Sequence, residues 1–328
     1  MAHQALATPN LKRGSKSVGL SPYTPDRKQD WNDFVARSKN GVFLFQRDYM
    51  DYHADRFADH SLLAHEGDRL LALFPANRRE DALVSHGGLT FGGFITDERM
   101  RTPVMLELFD QLRQCAQSNS MRRIVYKPVP HIYHRAPAEE DLYALFRQDA
   151  KLIRRDVSST VVQANRLNLT KGRKWSIKKG KSGGLVVRRS DDFESFMEME
   201  RLRLDEKYSV SPTHSPAEMR LLANRFPEQI KLYAAYRQEA MQAGAIVYES
   251  PCVAHTQYLA STEEGRAAAA LDAVLDMLLN VTYAATPYFD FGISTEDRGR
   301  VLNVGLIENK ESYGARAVVY DWYEIAVG

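Results

Sequence analysis

"HTQYLASTEEGRAAAAL", residues 255–271, passes from a strand-like pattern through one glycine into strong helix formers. A strand that turns into a helix leaves free backbone groups at the strand end. It also leaves unpaired N–H groups at the helix N-terminus, and these favour anions. Gly265 lets a phosphate come close to the backbone, Arg266 adds charge, and Ala267–Ala270 leave the approach clear. An ordinary strand-to-helix connection has the same local composition, so the surrounding sequence has to decide between the two.

Upstream, residues 241–249 and 252–260 alternate like strands. Downstream, Leu271, Val274, Leu275, Leu278 and Leu279 fall at i, i+3, i+4, i+7 and i+8, one apolar face of a helix, and residues 288–293 form another strand pattern. The first half shows the same order. Extended segments at 70–75 and 82–94 lead to a helix with Val104, Leu108 and Leu112 on one stripe, then to a strand at 123–129. His86 and His255 mark similar points in the two units, 255 − 86 = 169 residues apart, about half of the 328-residue chain. The spacing predicts two copies of one α/β module.

Length and composition agree with that organisation. A chain of 328 residues exceeds the ~250–300 at which single cores stop growing. Its 44 basic and 42 acidic residues give no global field that would advertise DNA or a membrane. Two cysteines, Cys115 and Cys252, are too few for a disulfide framework, and no run approaches the ~18 apolar residues of a membrane span. The expectation is a cytoplasmic protein, monomer or homodimer, with no DNA partner and no membrane insertion. Its parts are a flexible polar arm (1–26), a first module (27–164), a basic linker helix (165–183) and a second module (184–328). The linker holds "RLNLTKGRKWSIKKGK", residues 166–181, with seven basic residues and no acid. That is a solvated helix or a docking surface for a phosphorylated ligand, Arg173 and Lys174 among its donors.

Several familiar chemistries are excluded by spacing. Gly180-Lys181-Ser182 would complete a phosphate loop only with glycine at 175, which is Trp175. "HGGLTFGGF" (86–94) lacks the dinucleotide spacing. His131 and His134 sit among prolines with no third ligand in register, so no metal is expected. Cys115 on a helical stripe and Cys252 at a strand start read as buried small hydrophobes.

Three stretches carry a resemblance: residues 255–280, residues 288–325 and "YKPVPHIYHRAPAEEDLYALF" (126–146). With Asp290-Phe291-Gly292, Asn303, Gly305-Leu306, Lys310-Glu311 and Gly314-Ala315-Arg316, the chain resembles GNAT-superfamily acyltransferases over about residues 31–325. The two-module branch related to the FemABX aminoacyltransferases and to bacterial sugar N-acyltransferases looks nearest. The resemblance implies an α/β (α+β) fold of two tandem GNAT-like modules, each a mixed, mainly antiparallel sheet flanked by helices. It also implies acyl-CoA as co-substrate. The pantetheine arm would lie along residues 253–260 (Gln257, Tyr258, Leu259, Ala260). The pyrophosphate would rest on residues 261–267 (Thr262, Gly265, Arg266, Ala267), with Asn303 and Lys310 completing the donor site. Glu263 and Glu264 stand where the superfamily carries basic, glutamine or glycine residues. Turned outward they suit a helix N-terminus; turned inward they would repel coenzyme A.

Acyl transfer to an amine needs a neutral nitrogen, stabilisation of the oxyanion and a proton for the thiolate. Strand amides at 257–259 can polarise the carbonyl, and His214 and Asp290 are the candidate proton acceptors, with water as the alternative. Tyr126, Lys127, His131, Tyr133 and His134 offer aromatic faces and cations for a nucleotide-linked sugar. The expected activity is therefore transfer of an acyl group from acyl-CoA to a dTDP- or UDP-linked amino sugar for surface polysaccharide. The alternatives are a FemABX-like, aminoacyl-tRNA-dependent transferase acting on a peptidoglycan precursor, and a non-catalytic binding protein with a decayed donor site.

Overall fold

A computed structural model describes residues 18–208 and 212–328. Most of the arm expected over 1–26 lies outside them. The first half begins with β1 (Val18–Pro22), α1 (Lys28–Arg37) and the single turn α2 (Arg47–Met50). It continues through β2 (Leu62–Glu66), β3 (Arg69–Phe74), β4 (Asn77–Arg79), β5 (Ala82–Val84) and β6 (Ile95–Thr96) to α3 (Thr102–Ser118), β7 (Arg123–Tyr126), α4 (Glu140–Arg147) and β8 (Lys151–Val162). The second half opens with α5 (Lys171–Ser182), β9 (Val186–Ser190), α6 (Phe193–Tyr208) and α7 (Pro216–Arg225). Then come β10 (Ile230–Arg237), β11 (Ala240–Glu249), β12 (Val253–Ser261), α8 (Glu263–Ala267), α9 (Ala270–Met277) and β13 (Tyr288–Ile293). A short pair, β14 (Thr295–Glu296) and β15 (Val301–Leu302), precedes α10 (Val304–Glu311) and β16 (Arg316–Ala326).

One ten-stranded sheet, ordered β4-β5-β7-β16-β8-β13-β12-β11-β10-β9, runs through both halves, and β1-β2-β3-β6 form a second. Two pairs in the large sheet are parallel, β5 with β7 and β12 with β13, and each is joined by helix. These are the two repeats seen in the sequence. The halves exchange their last strands: β8 pairs with β13, and β16 pairs with both β8 and β7. The chain boundary near residue 164 therefore does not divide the sheet.

The structure differs locally from the expectation in three places. Residues 18–22, assigned to the loose arm, form edge strand β1 against β2, because Val18 buries in the core with Leu62 and Phe74. The extended pattern at 82–94 stops being strand at Val84, and His86 turns the chain at φ 51°. The helix expected from Arg266 starts earlier, at Glu263, and is interrupted by a left-handed residue, Ala269 (φ 56°).

A shared apolar core joins the halves, with Trp31, Phe34 and Phe45 packing in one cluster with Phe196, Leu222, Phe226 and Tyr248. At its edge lie three buried imidazoles. His53 and His86 stand 5.3 Å apart between ring centroids, and Tyr52 stacks on His53 and tilts over His214. Burial pushes His86 down to about 2 and His214 to about 4, and lowers His53 as well. Folding favours the neutral form of all three, so the unfolded chain binds more protons below the ordinary value of 6.5. Their contribution to stability is complete above that value and is lost as pH falls toward the folded values. Denaturation midpoints should drop between pH 7.5 and 5 with a slope of up to about 1.4 kcal/mol per pH unit for each ring. His86→Asn, which tolerates the positive φ, should flatten that slope.

Candidate active site

The parallel pairing of β12 with β13 ends at His255 opposite Asp290. Beyond that point the strands diverge. Gln257 bulges out of β12, since Thr256 and Tyr258 face consecutive residues of β11, and such a bulge bends its strand. On β13 the register with β8 slips between Asp290 and Ile293, around Gly292 at φ 76°. Lys310 of α10 donates to the Gly292 and Ile293 carbonyls at 2.8 and 2.7 Å. It thereby satisfies backbone acceptors at the divergent end of β13.

The gap opens into a cavity of ≈510 Å³ walled by Leu259 and Ser261 of β12, α8, α9, Phe291 and α10. Arg173, Arg203, Arg266 and Lys310 reach it, against one acid, Asp272, which Arg173 already holds. Burial pushes Lys310 down to about 8, and the Asp290 charge partly offsets this. The helix corner is arranged differently from the expected anion loop. Thr262 caps α8 by accepting from the Gly265 N–H at 2.9 Å, so that amide is already engaged. Any Cβ at Gly265 would overlap the Gln242 carbonyl, so this glycine serves helix-to-strand packing. Glu263 and Glu264 are exposed and turn outward. The uncapped start of α9, after Ala269, instead faces the cavity through Leu271 and Asp272.

At the fork of the two strands lies Asp290, 0% exposed. Its Oδ1 accepts from Ser158 Oγ (2.6 Å) and Thr160 Oγ1 (2.7 Å), and its Oδ2 from His255 Nδ1 (2.7 Å) and Tyr320 OH (3.0 Å). Burial alone would raise this carboxyl, but the His255, Ser158 and Thr160 bonds hold it below its ordinary value. An ionised carboxylate only accepts, so Nδ1 of His255 carries a proton, and in the neutral ring the lone pair is then on Nε2. Gly292 leaves that edge of the ring open, because a Cβ there would stand 3.3 Å from Cε1. On the other side His255 and Gln257 line a recess of ≈20 Å³ with Phe43, Phe91 and Tyr133. Sharing Val42, Phe43, Glu249 and Ser250, it adjoins an open crevice of ≈350 Å³ between the halves.

The residues singled out from sequence fall into distinct places. Leu259, Gly265, Arg266, Asn303, Lys310 and Arg173 line the cavity. Asn303 also caps α10, accepting from Leu306 N at 3.1 Å, and Arg173 stacks on Tyr313. Ala260 is buried in the shared core, Ala267 and Lys174 face solvent, and Tyr258 turns to His214, whose Nδ1 lies 2.7 Å from its hydroxyl. His214 therefore bonds Tyr258 and not the His255–Asp290 pair, and both oxygens of Asp290 are taken by its four donors, His255 among them. The first-half cluster does not gather as an acceptor site. Tyr126 is fully buried and donates to Asp141, and Lys127, pushed down to about 7 by burial and then by Arg154, donates to the His86 and Leu89 carbonyls. His131 is exposed and His134 bonds the Val129 carbonyl. Only Tyr133 joins the network, at 3.1 Å from the Tyr320 hydroxyl.

Sequence reasoning missed His255, Ser158, Thr160, Tyr320 and Arg203. For His255 the signal was present, in a histidine and an aspartate placed on two strands of one predicted strand–helix–strand unit. Among the described residues no group of three or more His, Cys, Asp or Glu side chains could hold a metal.

No protein-family model matches the sequence, and no curated protein matches it significantly. Solved structures match the fold across almost the whole chain. FemX aligns with a TM-score of 0.67 at 11% identity, covering 94% of this chain and 97% of that one. The C-terminal domain of a putative lysylphosphatidylglycerol synthetase from Agrobacterium fabrum aligns at 0.60 and 10%, covering 91% of each. A tandem GNAT protein from the clavulanic acid biosynthesis pathway aligns at 0.51 and 11%, covering 95% of this chain and 99% of that one. The chain has a two-module, GNAT-like fold with FemABX resemblance. No helix among the described residues is long and apolar enough to cross a membrane.

Asp290→Asn should keep the two hydroxyl bonds but set an NH₂ against His255. The imidazole must then accept at Nδ1 and move its proton to Nε2. Nitrogen-15 shifts of His255 should report that tautomer change, with a stability loss of about 1–3 kcal/mol. An unchanged tautomer would contradict the assignment.

Proposed function

We propose that the protein is an N-acyltransferase that takes its acyl group from a coenzyme A thioester. The observation that carries this reading is the fork itself, with a cation-lined cavity of ligand size on one side and the His255–Asp290 pair at its base. The pantetheine arm would run along β12 from Leu259 toward the bulge. Arg203 and Arg266 at the cavity would meet phosphate oxygens. The amide at the Gln257 bulge stands opposite no residue of β11, and β13 has left its other side. It is the natural donor to the thioester carbonyl as that oxygen becomes an oxyanion.

The acceptor would arrive as an amine through the crevice between the halves. Its nitrogen attacks the thioester carbon, His255 Nε2 takes the N–H proton, and that proton leaves with the thiolate, so a thioester and an amine become an amide and a thiol. For the acceptor itself we keep a nucleotide-linked amino sugar, on the cleft between modules and on helices none of which exceeds 17 residues among those described, too short for a long coiled-coil arm. A second reading, an aminoacyl-tRNA donor, draws on the outer face of α5, where Lys171, Lys174, Lys178 and Lys179 surround Trp175, 64% exposed.

Thiol release from acyl-CoA across a panel of dTDP- and UDP-amino sugars tests the first reading. Turnover is expected, with His255→Ala lowering kcat by about 10²–10⁴ and leaving the donor KM nearly unchanged. Transfer that needs charged tRNA and ignores acyl-CoA would select the second reading. The absence of any thermal shift with any acyl-CoA would point to a decayed donor site.

A further inference from the structure

Another buried carboxylate, on the helix that packs against β12, is used by nothing above. Glu200 of α6 is 7% exposed, and its Oε2 has no hydrogen-bond partner among the described residues. Asp290 has four donors and Asp141 has the Tyr126 hydroxyl, so an unpaired carboxylate stands out against the chain's own practice. Burial pushes Glu200 up to about 7, and Arg203 offsets part of that rise.

Its position connects it to the fork. α6 packs on β12, with Phe193, Phe196 and Met197 in the same core as Val253, Tyr258 and Ala260. His255 opens to the shared aromatic face beside Tyr248 and Phe43. Arg203, one helical turn beyond Glu200, lines the donor cavity. Tyr258, raised to about 12 mainly by burial, also feels the Glu200 charge. Glu200 thus lies on α6 between the residues that pack against β12 and the arginine that reaches the donor cavity.

We propose that Glu200 receives the acceptor, binding it as a primary ammonium and taking its first proton. The proposal rests on the amine-acylation reading above. One proton passes from the ammonium nitrogen to a carboxylate oxygen, cancelling both charges and leaving the neutral amine that attacks. His255 then takes the second proton. A carboxylate held near neutrality by its surroundings suits that exchange. An unpaired buried carboxylate costs stability when the site is empty, which explains how it is recognised without ligand.

The test uses the full chain and Glu200→Gln, which keeps size and removes charge. Melting is followed with propylammonium, with propanol as a neutral control and tetramethylammonium as a cation with no proton to give. Propylammonium alone should stabilise the wild type, and Glu200→Gln should abolish that shift while melting a few degrees higher without ligand. In turnover, the variant should raise the acceptor KM about ten- to a hundredfold and leave the donor KM unchanged, and Glu200→Asp should recover part of the loss. An equal propylammonium shift in both proteins, or a variant that melts lower than the wild type, would overturn the proposal. The melting arm needs no turnover. Failure of every acyl-CoA would sink the functional reading while this arm still decides Glu200.

Discussion

A carboxylate removed entirely from water has to be met by donors, and Asp290 finds four of them on three other strands. Ser158 and Thr160 come from β8, His255 from β12 and Tyr320 from β16. Two of these strands, β8 and β16, are the ones the halves exchange. The charge therefore ties the seam of the ten-stranded sheet to the place where β12 and β13 separate. Losing a donor would leave a buried charge short of a partner, a larger penalty than the bond itself is worth. The same constraint puts a proton on Nδ1 of His255, so the strand seam and the orientation of that ring are consequences of one ion.

The repeat shows what makes one fork open and the other closed. Both halves place a buried lysine on two carbonyls just beyond a parallel pair, Lys127 on His86 and Leu89, Lys310 on Gly292 and Ile293. Lys127 is almost wholly enclosed, with its ammonium over the Trp322 ring, and Phe91 and Phe94 of the segment after β5 are buried as core. Lys310 lies on a wall of the large cavity, because α10 stands off from α9 and the space between them is not filled by side chains. The two halves thus share a parallel frame, and packing fills the space beside one of them.

Much of the frame was legible as periodicity. The strands at 241–249, 252–260 and 288–293 were read within a residue or two, because a strand buried on both faces keeps its apolar run against any neighbour. The same logic placed α3 and the apolar face of α9. It failed at residues 82–94, where apolar side chains bury in turns rather than in a strand, a difference composition does not record. It failed again at Tyr126 and Lys127, whose polar tips signalled a ligand site while their bonds run inward to Asp141 and to backbone carbonyls.

By itself the sequence determined the class of module, its duplication, and the corner where strand gives way to helix, since all three are written in local spacing. Only the tertiary structure decided what that corner does. Glu263 and Glu264 turn to water and Gly265 packs on a strand, so the opening lies between α9 and α10 rather than on the expected loop. His255, the first residue of the stretch, becomes the candidate base because parallel register sets it beside an aspartate 35 residues away. A contact across that separation depends on how the strands pair, and no local pattern of residues carries it.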